Sequence, residues 1–438
     1  MTGRRLVRVC AALTAAGFLM AACGSDDKTE TTTASTAAAT TTAAGGGSTT
    51  AAGGGSTTTA AGAANTAGSA PSSGGGAATG GLAVDTAKCT APSGASVKLQ
   101  LQWVAQSQFA GYFAAVDKGF YKDLGLDVDI VQLADSTVVP VQQVATGAAD
   151  FAISWVPKAL AAREAGAKVT DIAQVFQRSG TLQVSLKDKD ITSVADFEGK
   201  KIGNWGYGNE YEIFAALSKE GLDPAKDVTL VAQQFDVSGL TSGDIDAIEA
   251  MTYNEYAQVL ESTNEATGKP YTADDLNVVS YEDAGVGMLQ DAIWADQEKL
   301  SDPAYCGEAL ALVQGSLEGW AYCRDNATEC RDIVMKQNPP YGGASHQLWQ
   351  MNEINALIWP SPDGVGVIDQ AAWDRTVEIS QQTKNLDGKT VLTKAPAAES
   401  FTNDIVEAAL ANLAKDASFD DAGADFQKQT VTVNPGGN

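Results

Sequence analysis

Two segments in the middle of this 438-residue chain place the same residues at a predicted strand-to-helix turn. Residues 201–211 and 247–256 each indicate a strand, a short turn and a helix start, with Asn-Glu-Tyr at the helix entry. Free N–H groups at a helix N-terminus bind polar ligand atoms, but Asn also caps helices and Glu suits the first turn. For Asn209 and Asn254 the sequence therefore supports two roles equally, contact with a ligand and capping of the helix.

Aromatic side chains accompany these turns and favour contact with a flat ring. Trp205, Tyr207 and Tyr253 lie in predicted turns, where a core role is hard to explain. Gly206 and Gly208 suggest a phosphate loop, but neither the full Gly-x-Gly-x-x-Gly pattern nor a Gly-Lys-Ser/Thr ending is present in the sequence. Ring stacking with a few hydrogen bonds is the chemistry that these residues predict.

The candidate ligand-binding residues come from predicted strand ends in two separate parts of the chain. They are Trp103, Gln108, Tyr112, Ser154, Trp155 and Arg178 in the first part, and Asn204, Trp205, Tyr207, Asn209, Glu210, Thr252, Tyr253, Asn254 and Glu255 in the second. A Trp at a strand end is more often core than ligand contact. Three Trp and three Tyr at such positions nevertheless favour stacking on a ring.

No catalytic set of residues is evident in the sequence. It has no Gly-x-Ser-x-Gly elbow, and its one histidine, His346, is predicted to lie on a helix face or in solvent rather than to act as a base. The cysteine spacing is not a zinc pattern. We therefore expect no enzymatic activity, no cofactor and no metal.

Alternating strands and helices must position the candidate residues. Apolar and polar residues alternate over 97–101 as in a half-exposed strand, Phe109, Phe113 and Val116 follow at helical spacing, and a second strand begins near Val128. A unit of this length is a βαβ crossover. Its first loop opens at the carboxyl edge of a sheet, where open α/β folds bind ligands.

The same stretch carries a family resemblance. Phe-Ala-Gly-Tyr-Phe-Ala-Ala at 109–115 and Lys-Gly-Phe-Tyr-Lys-Asp-Leu-Gly-Leu-Asp-Val at 118–128 resemble the opening of ABC-importer solute-binding proteins. The resembling group binds thiamine pyrimidine precursors, riboflavin, taurine and aliphatic sulfonates. The resemblance implies a two-lobed α/β type II periplasmic binding protein fold with a two-strand hinge, and an ABC permease and ATPase as partners.

A fungal branch of that group makes the thiamine pyrimidine. The resemblance places its Asn-x-x-His stretch at residues 106–109, where this chain has Gln-Ser-Gln-Phe. Phe109 stands where that histidine would be, which argues against synthase activity here.

The resemblance also suggests where the chain crosses between lobes. Glu-Gly-Lys-Lys-Ile-Gly at 198–203 resembles the entry to the second lobe of this fold, and 291–294 is predicted as the return strand. We expect the first lobe to comprise residues 88–189 and a mostly helical 286–438, with the second lobe at 190–285. Two crossings form the hinge that closure on a ligand requires.

The N-terminal residues predict export and anchoring. Arginines and a short apolar run precede Ala-Ala-Cys23-Gly, which resembles a lipoprotein processing box, so 1–22 is predicted as a signal peptide and Cys23 as the lipidated first residue. An ordinary signal peptide with an incidental cysteine is the alternative. Residues 23–87, mostly Thr, Ala, Gly and Ser, predict a disordered tether. We expect a monomer outside the cytoplasm, held to the cell membrane by that lipid.

The cysteines after Cys23 are even in number, as expected for disulfides in an exported chain. Cys306 and Cys323 fall on one predicted helix about 25 Å apart by its rise, too far to pair. Cys323 and Cys330 flank a short turn. We therefore predict Cys323–Cys330 and Cys89–Cys306 bridges.

Charge decides the predicted ligand class. The formal net charge of −25 argues against nucleic acid as a partner. Arg178 is the one arginine well placed for the cleft, whereas Glu210 and Glu255 would repel an anion and accept hydrogen bonds from a ring amine. We predict a small heteroaromatic ligand, such as a pyrimidine precursor or a riboflavin-like ring. A taurine or alkanesulfonate anion, an enzyme on the same fold, and an extracellular sensor or adhesion module are the alternatives.

Overall fold

The computed structural model describes residues 81–134, 138–206 and 208–438. Cys23, the predicted signal peptide, the tether as far as residue 80, and Tyr207 lie outside the described residues. The last tether residues that are described contact the globular part, because Leu82 N donates to Phe401 O at 2.7 Å and Val84 N to Asp404 Oδ2 at 2.6 Å. The globular part therefore begins a few residues earlier than the predicted boundary at 88.

Strands and helices alternate through the first two thirds of the described chain, and helices dominate the last third. In chain order the strands are β1 (Ala95–Gln100), β2 (Leu126–Val131), β3 (Phe151–Trp155), β4 (Val169–Gln174), β5 (Thr181–Leu186), β6 (Lys201–Asn204), β7 (Thr229–Ala232), β8 (Ala247–Met251), β9 (Thr263–Asn264), β10 (Lys269–Pro270), β11 (Leu276–Ser280) and β12 (Asp291–Asp296). The α-helices are α1 (Ala110–Lys118), α2 (Phe120–Asp123), α3 (Pro140–Ala145), α4 (Val156–Glu164), α5 (Tyr211–Glu220), α6 (Ser238–Ser242), α7 (Glu255–Glu261), α8 (Pro303–Asp325), α9 (Ala327–Met335), α10 (Ala344–Ile358), α11 (Gln370–Gln382) and α12 (Asp404–Leu413). No helix in the part of the chain that the structure describes combines the length and apolar character needed to cross a membrane.

Two mixed five-stranded sheets define two α/β lobes. The first sheet has the order β2-β1-β3-β12-β4, with β12 antiparallel to both neighbours, and the second has the order β11-β5-β8-β6-β7. The predicted βαβ crossover is confirmed, because β1 and β2 pair in parallel and α1 ends at Gly119 in the left-handed conformation (φ 85°). The chain crosses between lobes after β4 and again before β12.

The first crossing lies earlier than predicted. β5 was expected in the first lobe, yet it pairs antiparallel with β8 and β11 of the second sheet. The second lobe therefore begins at about Thr181 rather than 190. β4 and β5 are both largely buried strands, so their residue patterns do not distinguish them and only strand pairing assigns each to a sheet.

Both predicted disulfide pairings are present. Cys89 and Cys306 have Cα atoms 5.0 Å apart, and Cys323 and Cys330 have theirs 5.5 Å apart. Cys306 and Cys323 both lie on α8, as predicted. One bridge ties the start of the globular part to α8, and the other joins α8 to α9.

Helices α1 and α8 approach closely because glycines line their contact. A Cβ added to Gly319 would overlap the carbonyl oxygen of Gly111, and one added to Gly111 would overlap the Trp320 ring. This close approach brings α8 against the helix that follows the β1 loop, and so supports the loop that carries Gln108.

We expect Gly319→Ala to lower the free energy of unfolding by about 1–3 kcal/mol, because overpacking forces the two helices apart. Denaturant titration of the variant measures this change. Gln314→Ala on the same helix, at a partly exposed position, is the control and should change stability by less than about 0.5 kcal/mol. Equal stability of the two variants would contradict the close contact.

Candidate functional site

A buried carboxylate lies where the first sheet meets the second crossing. Asp291 opens β12 opposite Trp155, the last residue of β3, and only 1% of Asp291 is exposed. Its oxygens accept hydrogen bonds from Trp155 Nε1 at 2.8 Å, from Gln108 Nε2 at 3.0 and 3.2 Å, and from Gln102 Nε2. Burial raises the pKa of Asp291 to about 7, although these donors oppose the rise. Asp291 therefore holds two predicted site residues, Gln108 and Trp155, in place.

Helix α10 holds the loop that carries Gln108. Gln347 Oε1 accepts from Ser107 N at 2.8 Å, and Gln350 Oε1 accepts from Gln108 N at 3.2 Å. Several buried polar atoms here have no hydrogen-bond partner among the described residues: Gln106 Oε1, Ser107 Oγ, Tyr112 Oη and Gln350 Nε2. Since buried polar groups are normally paired, this cluster of unpaired atoms is unusual and marks the loop that carries Gln108 as a candidate part of the site.

The second lobe presents its own buried carboxylate. Glu249, in the middle of β8, is fully buried, and its Oε2 accepts from the Trp205 backbone N–H at 2.8 Å. Its Oε1 has no partner among the described residues. Burial raises the pKa of Glu249 well above its usual range, and nearby Glu210 and Glu212 add to the rise. Each lobe thus pairs a buried carboxyl group with a tryptophan.

Aromatic rings meet across the lobes. Phe235 of the second lobe lies 4.9 Å from the Trp103 ring of the first lobe and 6.1 Å from Trp205, with which it is nearly parallel. Phe235 remains 40% exposed. Trp103 and Trp205, both predicted, are therefore brought together by a phenylalanine that the sequence patterns do not mark.

A small cavity beside this junction draws on both lobes and on the second crossing. Its walls include Trp155 and Pro157 of the first lobe, Gly208, Asn209 and Glu212 of the second, and Gln290 of the crossing. Glu212 is buried, which raises its pKa to about 7, and its Oε1 accepts from Met288 N at 2.6 Å. Of the first Asn-Glu-Tyr turn, Asn209 and Tyr211 line this cavity. Glu210 does not line it, and its Oε2 accepts from Gly208 N at 2.9 Å.

The second Asn-Glu-Tyr turn contacts α10 instead. His346 is fully buried, with one ring nitrogen 3.0 Å from Asn254 Oδ1 and the other 2.9 Å from Glu261 Oε1. His346 thus lies on a helix face, one of its two predicted placements, and the other placement, in solvent, is wrong because this face of α10 packs against the second lobe. Glu255 Oε2 accepts from Met251 N at 3.0 Å. This carboxylate oxygen therefore stabilises the turn between β8 and α7.

The remaining candidates differ in how far they approach the junction of the lobes. Arg178 donates to the carbonyls of Ala356, Leu357, Trp359 and Pro360 at 2.6–3.4 Å, so its guanidinium stabilises the end of α10. Tyr253 is buried against Phe176, and the Thr252 carbonyl accepts from Trp349 Nε1 at 3.0 Å. Ser154 is buried beside Trp155, while Asn204 ends β6 and is partly exposed. Ligand contact by these five residues stays a prediction.

Sequence reasoning missed Asp291, Glu249 and Phe235. A signal did exist for the two acids, because Asp291 begins an apolar run, Asp-Ala-Ile-Trp-Ala, and Glu249 is the single carboxylate of its strand, Ala-Ile-Glu-Ala-Met. Acidic residues are almost never fully buried unless they are paired. Phe235 follows Gln-Gln in a loop that has no comparable pattern.

Two lobes on mixed sheets, joined by two crossings and lined by aromatic and polar groups, define a periplasmic-type solute-binding protein fold. The alkanesulfonate-binding protein SsuA from Xanthomonas axonopodis pv. citri shares it, with a TM-score of 0.52 over 72% of this chain and 100% of that one. At 12% sequence identity this likeness concerns the fold alone. The chain belongs to the NMT1/THI5 like family, whose profile matches residues 106–330.

Curated relatives of this chain include two binding proteins. The formylaminopyrimidine-binding protein of Halalkalibacterium halodurans is 23% identical over 287 residues, which are 64% of this chain and 83% of that protein. The riboflavin-binding protein RibY of Chloroflexus aurantiacus is 26% identical over 332 residues, 72% of this chain and 87% of that protein. A 4-amino-5-hydroxymethyl-2-methylpyrimidine phosphate synthase of Saccharomyces cerevisiae matches less fully, at 30% identity over 167 residues and 48% of its length.

We expect Asp291→Asn to change how stability depends on pH. A carboxyl group with a raised pKa in the folded state binds more protons when folded, so its contribution to stability falls as pH rises from about 4 to about 7. The amide removes that titration. The free energy of unfolding of the variant, relative to that of the wild type, should therefore increase between pH 5 and pH 8, because only the wild type loses stability over this range.

Denaturant titrations at both pH values measure this change. Asp129→Asn, an exposed carboxylate on β2, is the control and should keep a constant difference from the wild type. A constant difference for Asp291→Asn as well would contradict the raised pKa.

Proposed function

We propose that this chain binds a neutral or weakly cationic heteroaromatic ring of the vitamin-precursor type between its two lobes. The observation that carries this is a buried carboxyl group beside a tryptophan in each lobe. Asp291 accepts from the Trp155 indole, and Glu249 accepts from the Trp205 backbone N–H. Indole rings stack on flat rings, and carboxyl groups hydrogen-bond with ring nitrogens and amino groups. The names of the formylaminopyrimidine- and riboflavin-binding relatives support the same ligand class.

A taurine or alkanesulfonate anion is the rival ligand. A sulfonate needs concentrated positive charge or several N–H donors. Arg178, the arginine predicted for this role, donates instead to backbone carbonyls of the chain. Buried acids at the junction of the lobes also disfavour an anion, which supports the ring.

We further propose that the protein captures its ligand outside the cytoplasm and passes it to an ABC permease and ATPase. Its fold, its binding-protein relatives and the lipoprotein-like box at Cys23 support this role. A sensor or adhesion module on the same fold would lack such partners. A permease and ATPase gene pair beside this gene would discriminate between the two.

Catalysis is not part of this proposal. Phe109 occupies the place of the synthase histidine and is fully buried in the core. The match to the yeast synthase covers about half of that enzyme. Conversion of a bound pyrimidine compound by the purified protein would overturn this part of the proposal.

Calorimetry with riboflavin, aminopyrimidines, taurine and alkanesulfonates tests the ligand class. We expect binding of a ring compound, and a loss of at least about 1 kcal/mol with Trp205→Ala if the indole stacks on it. Phe120→Ala on α2, whose ring contacts Tyr322 at 6.2 Å, is the matched aromatic control and should leave affinity unchanged. Micromolar sulfonate binding that depends on Arg178, with no response to ring compounds, would reject the assignment.

The lipid anchor is tested in cells. Cys23→Ser should release the protein to the medium or leave it unprocessed, because the serine hydroxyl cannot replace the thiol in lipid attachment. Cys10→Ser, within the predicted signal peptide, is the control and should partition with membranes like the wild type. If Cys23→Ser partitions with membranes as fully as the control does, the lipoprotein prediction is wrong.

A further inference from the structure

Lys158 reaches from the first lobe into the second. It lies in the first turn of α4, and its Nζ donates to Asn209 Oδ1 at 2.8 Å. Its side chain also packs close to Gly208, since a Cβ there would lie 3.7 Å from Lys158 Cγ. No sequence pattern marks this lysine, which faces the same Asn-Glu-Tyr turn that lines the cavity.

The ammonium of Lys158 has more donors than protein acceptors. An ammonium carries three N–H groups. Asn209 accepts one of them, and the Trp155 ring lies 4.6 Å away as a cation–π partner. Among the described residues no carboxylate forms an ion pair with Lys158, so at least one N–H is free for another acceptor.

The electrostatic surroundings explain why this donor is unusual. Glu249 on β8, Glu210 before α5 and Asp291 on β12 all favour the charged lysine, yet burial outweighs them and lowers its pKa to about 8. Glu212 on α5 also lines the adjoining cavity. Burial raises the pKa of Asp291 and Glu212 to about 7 and that of Glu249 well above its usual range, so these acids only partly neutralise the ammonium.

We infer that Lys158 is a specificity-determining residue, whose ammonium donates a hydrogen bond to an acceptor atom on the ligand. This deepens the proposed function, because it requires a ring compound with a carbonyl oxygen or ring nitrogen on the edge that faces the cavity beside Trp155. Glu249 of the second lobe, whose charge acts on Lys158, has an oxygen without a partner among the described residues, Oε1, and would supply a second hydrogen-bond position. The two groups together select a ring with an acceptor at one edge and an amino group at another.

The inference predicts proton uptake on binding. In this conformation Lys158 loses its proton as pH rises through about 8. A ligand acceptor stabilises the charged form and raises that pKa, so binding takes up a proton and affinity falls as pH rises above 8. Glu249, Glu210 and Asp291 act on the charge of Lys158, and Glu212 lines the adjoining cavity. Lys158 in turn lowers the pKa of Asp291 and Glu249, so a neutral residue at position 158 also alters those two groups. An arginine keeps the charge and therefore isolates the titration of Lys158 itself.

The test uses a formylaminopyrimidine and the corresponding free amine as probes, with calorimetry in buffers of different ionisation enthalpy. The wild type should prefer the formyl compound and take up a proton on binding it at pH 8.5. Lys158→Met should lose roughly tenfold to a hundredfold in affinity for the formyl compound and should show no proton uptake. Lys158→Arg should keep most of the affinity without the pH dependence, and Lys168→Met, an exposed lysine of the same lobe, should match the wild type.

Two results overturn the inference in different ways. Wild-type affinity and proton uptake in Lys158→Met, with an unchanged unfolding midpoint, reject the role of Lys158 and leave the ligand class standing. Failure of the wild type to bind either compound, or any ring compound, rejects the ligand class and this role with it. If Lys158→Met unfolds, the comparison of Lys158→Arg with the wild type decides, because arginine keeps its charge well above pH 8.5.

Discussion

The buried carboxylate of Asp291 constrains the geometry of the whole junction between the lobes. An uncompensated charge in a protein interior is costly, so Asp291 requires donors, and it takes them from the β1 loop and from the end of β3. Those donors then lose their freedom to move. Gln108 and Trp155 are consequently held at the carboxyl edge of the first sheet, where open α/β folds place their ligands.

Helix α10 adds a wall that contacts both lobes. Gln347 and Gln350 lie three residues apart and hold the β1 loop, while His346 and Trp349, also three apart, reach Asn254 and Thr252 in the second lobe. Residues three apart share a helix face. One face of α10, with Gln347 and Gln350, therefore contacts the first lobe, and the neighbouring face, with His346 and Trp349, contacts the second. Any separation of the lobes must break the bonds made by His346 and Trp349.

Charge at the junction is balanced locally rather than across the whole protein. The chain carries a large net negative charge, yet the groups that decide ligand chemistry are a few buried acids and one lysine. Burial raises the pKa of Asp291 to about 7 and lowers that of Lys158 to about 8, so near pH 7 the acid is only partly ionised while the lysine keeps its charge. Such a site favours hydrogen bonding with a neutral ring over pairing with a strong ion.

The pattern of residues within short segments by itself determined the βαβ unit and the strands at 201–204 and 247–251. It also determined the pairing of the four cysteines, because the length of one predicted helix separates Cys306 from Cys323. It also selected Trp103, Trp155 and Trp205, because turn positions and ring size are properties of short segments. Tertiary structure alone decided that β5 joins the second sheet, that His346 is buried, and that Asp291, Glu249, Phe235 and Lys158 meet at the junction. The partners of Asp291 lie 136 to 189 residues away in sequence. Periodicity extends over a few turns or strands, whereas the burial of a charge depends on distant groups that only the fold brings together.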